Sequence, residues 1–250
     1  MTEPPRIDAT GMKLLGRLVE ASNATFLAEL HGSHVVYKPV AGEAPLWDFP
    51  PKTLGRRELA AHRLSRAAGF DVVPPTRWIE DGPLGPGSVQ DWVETDGDDL
   101  AELVALDEVP DGWFGIVVGL DADDQEVALV HADHPGLRRL ALFDVVANNA
   151  DRKAGHILRV GDRVLGCDHG VSFHAEAKLR TILWGWSGEP LTDEETVLLD
   201  RTAQVADRAL TGWLDPEEIR ACEQRALDLL AAGRFPEPGD AWPVIPWPPI

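Results

Sequence analysis

Residues 144–158 read Asp-Val-Val-Ala-Asn-Asn-Ala-Asp-Arg-Lys-Ala-Gly-His-Ile-Leu, and residues 167–173 read Cys-Asp-His-Gly-Val-Ser-Phe. In the first stretch an apolar helical pattern ends and a polar loop carrying Asp151 follows. Two short strand-like segments then flank the turn Gly161-Asp162, which is typical of a β-hairpin. Directly after this hairpin, Asp168 stands two residues before a glycine. This order predicts that the hairpin brings two carboxylates together.

The chain before this segment has the alternation of β-strands. A meander of three strands is predicted because the segments between them, Ala21-Ser22-Asn23-Ala24 and His31-Gly32-Ser33, favour tight turns. A helix is predicted next, and Gly69 ends it as a C-cap. The predicted elements of this half are strands at 14–19, 25–30, 35–38 and 88–93, an extended segment at 72–79, and a helix at 54–68.

Helical patterns dominate the chain after Glu94. Acidic residues concentrate from Glu94 to Glu108, where a helix is predicted to begin near Asp98. The acidic stretch from Asp96 to Asp107 predicts a solvated face. Thr192, with Glu195 three residues later, predicts a capping box. The remaining predicted elements are helices at 137–146, 193–210 and 216–232, strands at 156–160 and 163–167, and an extended proline-rich tail from 235.

The separation of strands from helices indicates an α+β fold with two lobes and a cleft between them. We expect a sheet-containing N-lobe at 12–95, a mainly helical C-lobe at 96–235, and a proline-rich tail at 236–250. In such a cleft, two neighbouring carboxylates suit phosphoryl transfer. One carboxylate orients or deprotonates the nucleophile, while the other holds Mg²⁺ against the phosphates.

The motifs Asn149-Ala150-Asp151-Arg152 and Cys167-Asp168-His169-Gly170 resemble the catalytic and metal-binding loops of the phosphatidylinositol 3-/4-kinase-like superfamily. The type II phosphatidylinositol 4-kinases are the most similar in character, and HipA-like kinases are more remotely similar. The resemblance implies a two-lobed kinase-like fold that binds ATP with Mg²⁺. It also implies that Asp151 is the catalytic aspartate and that Asp168 binds the metal.

The resemblance extends to the N-terminal half, where Val36-Tyr37-Lys38-Pro39 is similar to the third-strand lysine motif of these kinases. It implies that Lys38 contacts the phosphates and that Glu58 is its ion-pair partner, although Arg56 and Arg57 could pair with Glu58 locally. Phosphate-covering residues would be Ser22, Asn23 and Thr25, and hinge residues facing adenine would be Gln90, Trp92 and Val93.

One position departs from the family pattern. These kinases have an asparagine five residues after the catalytic aspartate as a second metal ligand, whereas this chain has His156. Imidazole suits Mn²⁺ or Zn²⁺ better than Mg²⁺. His156 therefore predicts binding of a different metal such as Mn²⁺, a contact to phosphate, or reduced turnover.

The composition limits the partners. A formal net charge of −19 argues against general binding to nucleic acids or anionic membranes, because both need a positive field. Two cysteines and the lack of an apolar leader favour a cytoplasmic protein. The expected partners are therefore ATP and a phosphate acceptor, either a protein or a soluble metabolite. The acceptor's identity, the oligomeric state and the choice between phosphoryl and adenylyl transfer stay open.

Two other functions are compatible with the sequence. With His156 in place of asparagine, the fold could be an inactive nucleotide sensor that acts through partners. Alternatively, a zinc-dependent hydrolase could be built from His131 and His134, which lie in a predicted polar loop, together with Cys167, His169 and His174. Trp184 and Trp186 follow the second motif and could either stack on a substrate or pack in the core.

Overall fold

The computed structural model describes residues 9–18, 23–96, 99–239 and 243–250. It confirms an α+β architecture with a small antiparallel-sheet lobe and a mainly helical lobe. The N-terminal lobe consists of strands β1 (Lys13–Arg17), β2 (Phe26–Leu30), β3 (Ser33–Pro39), β4 (Thr76–Gly82) and β5 (Gly85–Asp91) and helix α1 (Leu54–Ala68). Its sheet has the order β1-β2-β3-β5-β4, so β3 lies at the centre.

The alternation of side chains along β3 positions Lys38. Val35 and Tyr37 are buried in a cluster on one face of the sheet, together with Ala28 and Val89. Since successive residues of a strand point to opposite faces, Lys38 lies on the other face. Helix α1 contacts β4 and β5 of the same sheet.

Helix α1 spans the predicted residues and ends where expected. Its C-cap, Gly69, adopts φ 89°, and the Gly69 N–H donates to Ser65 O. Glycine reaches this left-handed conformation without a Cβ penalty. On the same helix Arg57 is buried and forms an ion pair with Glu218 of the C-terminal lobe.

The region after Glu94 differs from the prediction. Asp98 lies outside the described residues. A short 3-10 helix forms at Leu106–Glu108, but the described residues before it, 99–105, contain no helix. They begin a three-stranded antiparallel sheet of order β6-β8-β7. Its strands are β6 (Ala101–Ala105), β7 (Trp113–Leu120) and β8 (Glu126–Ala132).

The expected helix is wrong because pairing with a distant strand decided the local structure. Ala101 pairs with His131, and Leu103 pairs with Leu129. His131 is consequently a buried strand residue, not a member of a polar loop. Burial of β8 against the core outweighs the helix-initiating preference of the acidic residues.

One large apolar cluster lies at the centre of the C-terminal lobe. The lobe contains α2 (Pro135–Ala147), the hairpin β9 (Ile157–Val160) and β10 (Arg163–Gly166), α3 (Asp193–Leu210) and α4 (Pro216–Ala232). The predicted hairpin is confirmed, with Arg163 paired to Val160. The predicted capping box is also confirmed, because Thr192 and Glu195 bond each other's backbone N–H groups.

The described part of the tail lies along the C-terminal lobe. Val244 O accepts hydrogen bonds from Thr181 N and from Trp184 Nε1, and Pro249 O accepts one from Ala154 N. Among the described residues, no helix combines the length and apolar character required to cross a bilayer.

Candidate active site

Three charged side chains from separate elements meet in the cleft between the lobes. Lys38 Nζ of β3 forms a hydrogen-bonded ion pair with Glu58 Oε1 of α1 and lies 3.0 Å from Asp168 Oδ1, in the loop after β10. The side-chain exposures are 22% for Lys38, 3% for Glu58 and 46% for Asp168. The lysine and one carboxylate are thus anchored in protein, while the other carboxylate faces the cleft.

Glu58 joins the two lobes through both of its oxygens. Its Oε2 accepts a hydrogen bond of 3.0 Å from the backbone N–H of His169. The same carboxylate therefore positions Lys38 and the residue that follows Asp168. The neighbouring Arg57 pairs with Glu218 instead, so a local pairing does not account for Glu58.

The electrostatics of this group favour the ionised forms of Lys38 and Asp168. The Lys38 ammonium holds the pKa of Asp168 well below its ordinary value. Burial alone would lower the pKa of Lys38, but the carboxylates of Asp168 and Glu58 raise it above its ordinary value. Opposite charges at this distance in a partly buried cleft explain both directions.

Asp168 has an unusual backbone conformation, with φ 56°. A non-glycine residue in the left-handed region is sparsely populated and costs on the order of 1 kcal/mol or more. The contacts of Lys38 with its side chain and of Glu58 with the next backbone N–H hold it there. Such strain is concentrated at functional sites.

His156 lies between the two aspartates of the sequence motifs. Its Nδ1 is 3.0 Å from Asp151 O, and its Nε2 is 3.6 Å from Asp168 Oδ2. Burial lowers the pKa of His156 to about 4, although Asp168 partly opposes the shift. The ring is therefore neutral near pH 7.

Asp151 is held by its own loop. Its backbone N–H donates to Asn149 Oδ1 at 3.0 Å, and its carboxylate oxygen Oδ2 lies 3.6 Å from Lys153 Nζ. Burial raises the pKa of Asp151, and Lys153 opposes this shift. The carboxylate is about one third exposed and so can be reached from the cleft.

A buried network below these residues was not anticipated from the sequence. Arg152 forms a bidentate ion pair with Asp144 of α2, with distances of 2.7 Å (Nε–Oδ2) and 3.0 Å (Nη2–Oδ1). The same guanidinium donates to Cys167 O at 2.7 Å and contacts His169 Nε2 at 2.9 Å. Asp144, the one charged residue in the apolar run 140–147 of α2, was the signal that could have revealed it.

The predicted phosphate-covering residues border the same cleft in part. Ser22 lies outside the described residues. A small cavity of about 30 Å³ is lined by residues including Asn23, Thr25, Lys38 and Asp168. Asn23 Oδ1 accepts a hydrogen bond of 2.7 Å from Ala44 N, which ties this turn to the segment after β3.

Glu43 also lines this cavity and was not predicted. Its two carboxylate oxygens accept hydrogen bonds from Leu54 N at 3.2 Å and from Gly55 N at 2.9 Å. These N–H groups belong to the first turn of α1, where no intrahelical partner is available. Glu43 therefore fixes the end of α1 that faces the cleft.

The predicted hinge residues are already hydrogen-bonded within the protein. The Gln90 side-chain amide donates to Thr76 Oγ1 at 2.9 Å in the sheet. The Trp92 backbone N–H donates to His34 O at 3.1 Å, and its ring Nε1 donates to Glu94 Oε1. Val93 is half-buried and follows in an irregular stretch.

A larger cavity of about 520 Å³ lies next to the loop 151–156. It is lined by residues that flank His156 on both sides, Gly155 and Ile157 among them, and by Thr95 after the hinge segment and Leu100 before β6. Its volume falls within the range of small-ligand sites, roughly 300–1,000 Å³.

The histidines considered as zinc ligands form hydrogen bonds within the protein instead. Both ring nitrogens of His131 are engaged: Nδ1 with Ala132 O at 3.0 Å, and Nε2 with Gly185 N at 3.0 Å. His134 Nδ1 accepts from Gly136 N and caps α2. Within the described ranges, no group of three or more His, Cys, Asp or Glu residues is arranged to hold a metal ion. Trp186 is buried and packs against His131.

No protein-family model matches this chain. Protein Rv2133c from Mycobacterium tuberculosis (strain ATCC 25618 / H37Rv) is 44% identical to it over 259 residues, which cover 95% of this chain and 91% of that protein. Among solved structures, the Helicobacter pylori proinflammatory kinase CtkA aligns with a TM-score of 0.47 and 12% identity, covering 92% of this chain and 95% of CtkA.

Proposed function

The chain belongs to the family of the mycobacterial protein Rv2133c, and we propose that it binds ATP with a divalent cation and transfers the γ-phosphate to a hydroxyl group. The observation that carries this proposal is the double contact of Lys38 with Glu58 and Asp168. A partly buried lysine fixed by one carboxylate beside a second, cleft-facing carboxylate is the arrangement used to bind phosphates and their cation.

The residues present fit a nucleotide–cation complex. Asp168 offers carboxylate oxygens to the cleft, and Mg²⁺ is commonly held by one or two protein ligands together with substrate phosphates. Lys38 would contact the phosphates, and Asp168 with His156 would hold the cation. When bound, the cation neutralises charge that develops on the transferred phosphoryl group.

Asp151 is proposed as the residue that orients the acceptor hydroxyl and accepts its proton. Its raised pKa brings the carboxylate closer to the range in which a general base operates. Lys153 Nζ lies 3.6 Å from Asp151 Oδ2. It would supply a positive charge on the side where the phosphoryl group is transferred. Positioning and charge neutralisation would provide most of the rate.

The nucleoside requires more room than the small cavity beside Lys38 provides. We propose that it lies along the hinge segment 90–95 toward the larger cavity next to His156. Leu158 lines that cavity and supplies apolar surface for a base. The acceptor is proposed to be a protein or a soluble metabolite, since the chain's net charge of −19 disfavours an anionic membrane.

Nucleotide binding by matched variants tests this site. We expect Lys38→Ala to weaken ATP binding by at least roughly tenfold, because a charge-assisted contact is worth about 1.5–3 kcal/mol. Asp168→Ala should remove the dependence of binding on the divalent cation. Calorimetric titration with ATP, with and without Mg²⁺ or Mn²⁺, measures both effects.

The chain offers close controls for both changes. Lys13 is a strand lysine of the same lobe, paired with Glu29 on the surface. Like Asp168, Asp71 has a left-handed backbone conformation (φ 51°) and forms an ion pair, here with Arg66 at 2.9 Å, but it lies away from the cleft. Lys13→Ala and Asp71→Ala should bind ATP like the wild type. If the two cleft variants also bind normally, the proposed site is wrong.

A nucleotide sensor without turnover is the second candidate, and His156 is the observation that favours it. The two functions differ in phosphate transfer from ATP labelled at the γ-position. Incorporation of label into the protein that is lost in Asp151→Ala supports the enzyme. Tight ATP binding with no transfer in either metal supports the sensor.

A further inference from the structure

The hydrogen bond of His156 fixes which ring nitrogen carries the proton. Its Nδ1 lies 3.0 Å from Asp151 O, and a carbonyl oxygen can only accept. Nδ1 must therefore be the donor, and the neutral ring keeps its lone pair on Nε2. A backbone carbonyl that orients one imidazole nitrogen is the usual support for a metal ligand on the other nitrogen.

The Nε2 atom of His156 faces the Asp168 carboxylate, which could be a second ligand of the same ion. Nε2 lies 3.6 Å from Asp168 Oδ2, which is too long for a hydrogen bond, and the His156 side chain is 18% exposed. Bonds from first-row cations to imidazole nitrogen and carboxylate oxygen are about 2.0–2.2 Å. Both atoms can therefore reach one ion. The other carboxylate oxygen, Oδ1, contacts Lys38.

His131 shows what a purely structural histidine looks like in this protein. It is fully buried, and both of its ring nitrogens bond the backbone. His156 shares only the first of these bonds, since its second nitrogen faces a carboxylate in the cleft. The difference separates a histidine that supports the core from one that is aimed at a ligand.

We propose that His156 Nε2 binds the nucleotide's divalent cation next to Asp168 and makes this site prefer Mn²⁺ to Mg²⁺. The inference rests on the proposed function. Mg²⁺ favours oxygen ligands and gains little from imidazole, whereas Mn²⁺ accepts a mixed nitrogen and oxygen set and lies in the series that imidazole suits better.

Electron spin-echo spectroscopy of bound Mn²⁺ tests the contact without reference to activity. The protein is produced with ¹⁵N-labelled histidine and mixed with Mn²⁺ and a non-hydrolysable ATP analogue. We expect modulation from ¹⁵N, which separates a protein imidazole from the ¹⁴N of adenine. The modulation should vanish in His156→Asn and persist in His34→Asn, since His34 is exposed on β3. Its persistence in His156→Asn would overturn the contact.

Competition between the two cations tests the preference. Displacement of Mn²⁺ by Mg²⁺ is followed by the free-Mn²⁺ signal in the presence of the same analogue. Loss of one well-oriented ligand should reduce the Mn²⁺ to Mg²⁺ affinity ratio of His156→Asn by on the order of tenfold or more. An unchanged ratio, with the fold intact by circular dichroism, would refute the proposal.

The outcomes also distinguish the proposed role of His156 from the proposed nucleotide-binding function. If the analogue binds with neither cation, the proposed function fails. If it binds equally well with both cations in wild type and in His156→Asn, the nucleotide site stands and only the role of His156 fails. Binding that favours Mn²⁺ in wild type alone supports both.

Discussion

Arg152 and Asp144 form a bidentate ion pair in which neither side chain has any exposed surface. The pair joins α2 to the loop that carries Asp151, and the same guanidinium reaches the backbone of Cys167. One buried cation thus follows Asp151 directly in the chain and bonds the backbone just before Asp168. Residues that never touch a substrate can in this way determine the geometry of the site.

Removal of Arg152 should therefore be strongly destabilising. Arg152→Met removes the countercharge of the buried Asp144 carboxylate and leaves it only the hydrogen bond from Asn149 Nδ2; loss of one partner of a buried ion pair costs about 3–5 kcal/mol. Urea unfolding followed by circular dichroism measures the loss. Arg66→Ala serves as the control, because its pair with Asp71 is exposed and worth about 0–1 kcal/mol. The double variant Arg152→Met, Asp144→Leu should recover part of the stability, and equal losses in the Arg152 and Arg66 variants would contradict this account.

Gly42 is expected to control the turn that covers the cleft. A Cβ at this position would lie 2.5 Å from Ala24 Cβ, so Gly42→Ala must displace the turn containing Asn23 and Thr25. Overpacking of this kind costs about 1–3 kcal/mol. We expect weaker ATP binding, measured by calorimetry.

The control for this change is Gly119→Ala, because a Cβ there meets no atom within 4 Å and no unusual φ is involved. Combining Gly42→Ala with Ala24→Gly removes the closest contact and should restore much of the affinity. A double variant as weak as the single one would show that the turn is not displaced through Ala24.

His156 should make stability depend on pH in an identifiable window. Its folded pKa of about 4 lies below the usual value, because burial disfavours the charged ring. The stability that it contributes is present above pH 6.5 and is lost as the pH falls from 6.5 toward 4, on the order of 3 kcal/mol in total. The charged groups that act on the ring are Asp168, Arg152, Lys38 and Lys153.

Urea unfolding between pH 7 and pH 4 measures this dependence. His156→Asn should flatten the profile in that window, whereas the exposed His34→Asn should leave it unchanged. Parallel profiles for wild type and His156→Asn would show that other groups cause the acid sensitivity.

The two cysteines should react slowly in the folded protein. Burial raises the pKa of both the Cys167 and the Cys222 thiol to about 11. At pH 8 the thiolate fraction is then roughly 200-fold smaller than for an ordinary cysteine with a pKa near 8.5. Alkylation with iodoacetamide, followed by mass spectrometry, should be slow in buffer and fast in denaturant. Cys167 is half-buried, so rapid native labelling of it would contradict its raised pKa.

Local patterns predicted most of what surrounds the cleft. Strand-forming residues predicted the strand that carries Lys38, and the helix ending at Gly69 was predicted by its C-cap and carries Glu58. The pairing of Lys38 with Glu58 was implied by the resemblance to kinases and not by these local patterns.

What escaped prediction depends on contacts between separate elements. The sheet of β6, β7 and β8 forms through pairings such as Ala101 with His131. The Arg152–Asp144 pair depends on how α2 meets the loop that follows it, and Glu43 caps α1 only because the segment after β3 folds against the start of that helix. In each case a tertiary contact decides the outcome, and propensity does not encode it.

Two adjacent residues of α1 anchor this helix to different parts of the protein. Glu58 holds Lys38 and the backbone after Asp168, while Arg57 is paired with Glu218 of α4 and donates to Ser172 O. A swing of α1 away from the cleft would have to rupture both sets of buried bonds together. We therefore expect the cleft to be assembled before any ligand binds. Activity should then depend on the availability of nucleotide and cation more than on movement of α1.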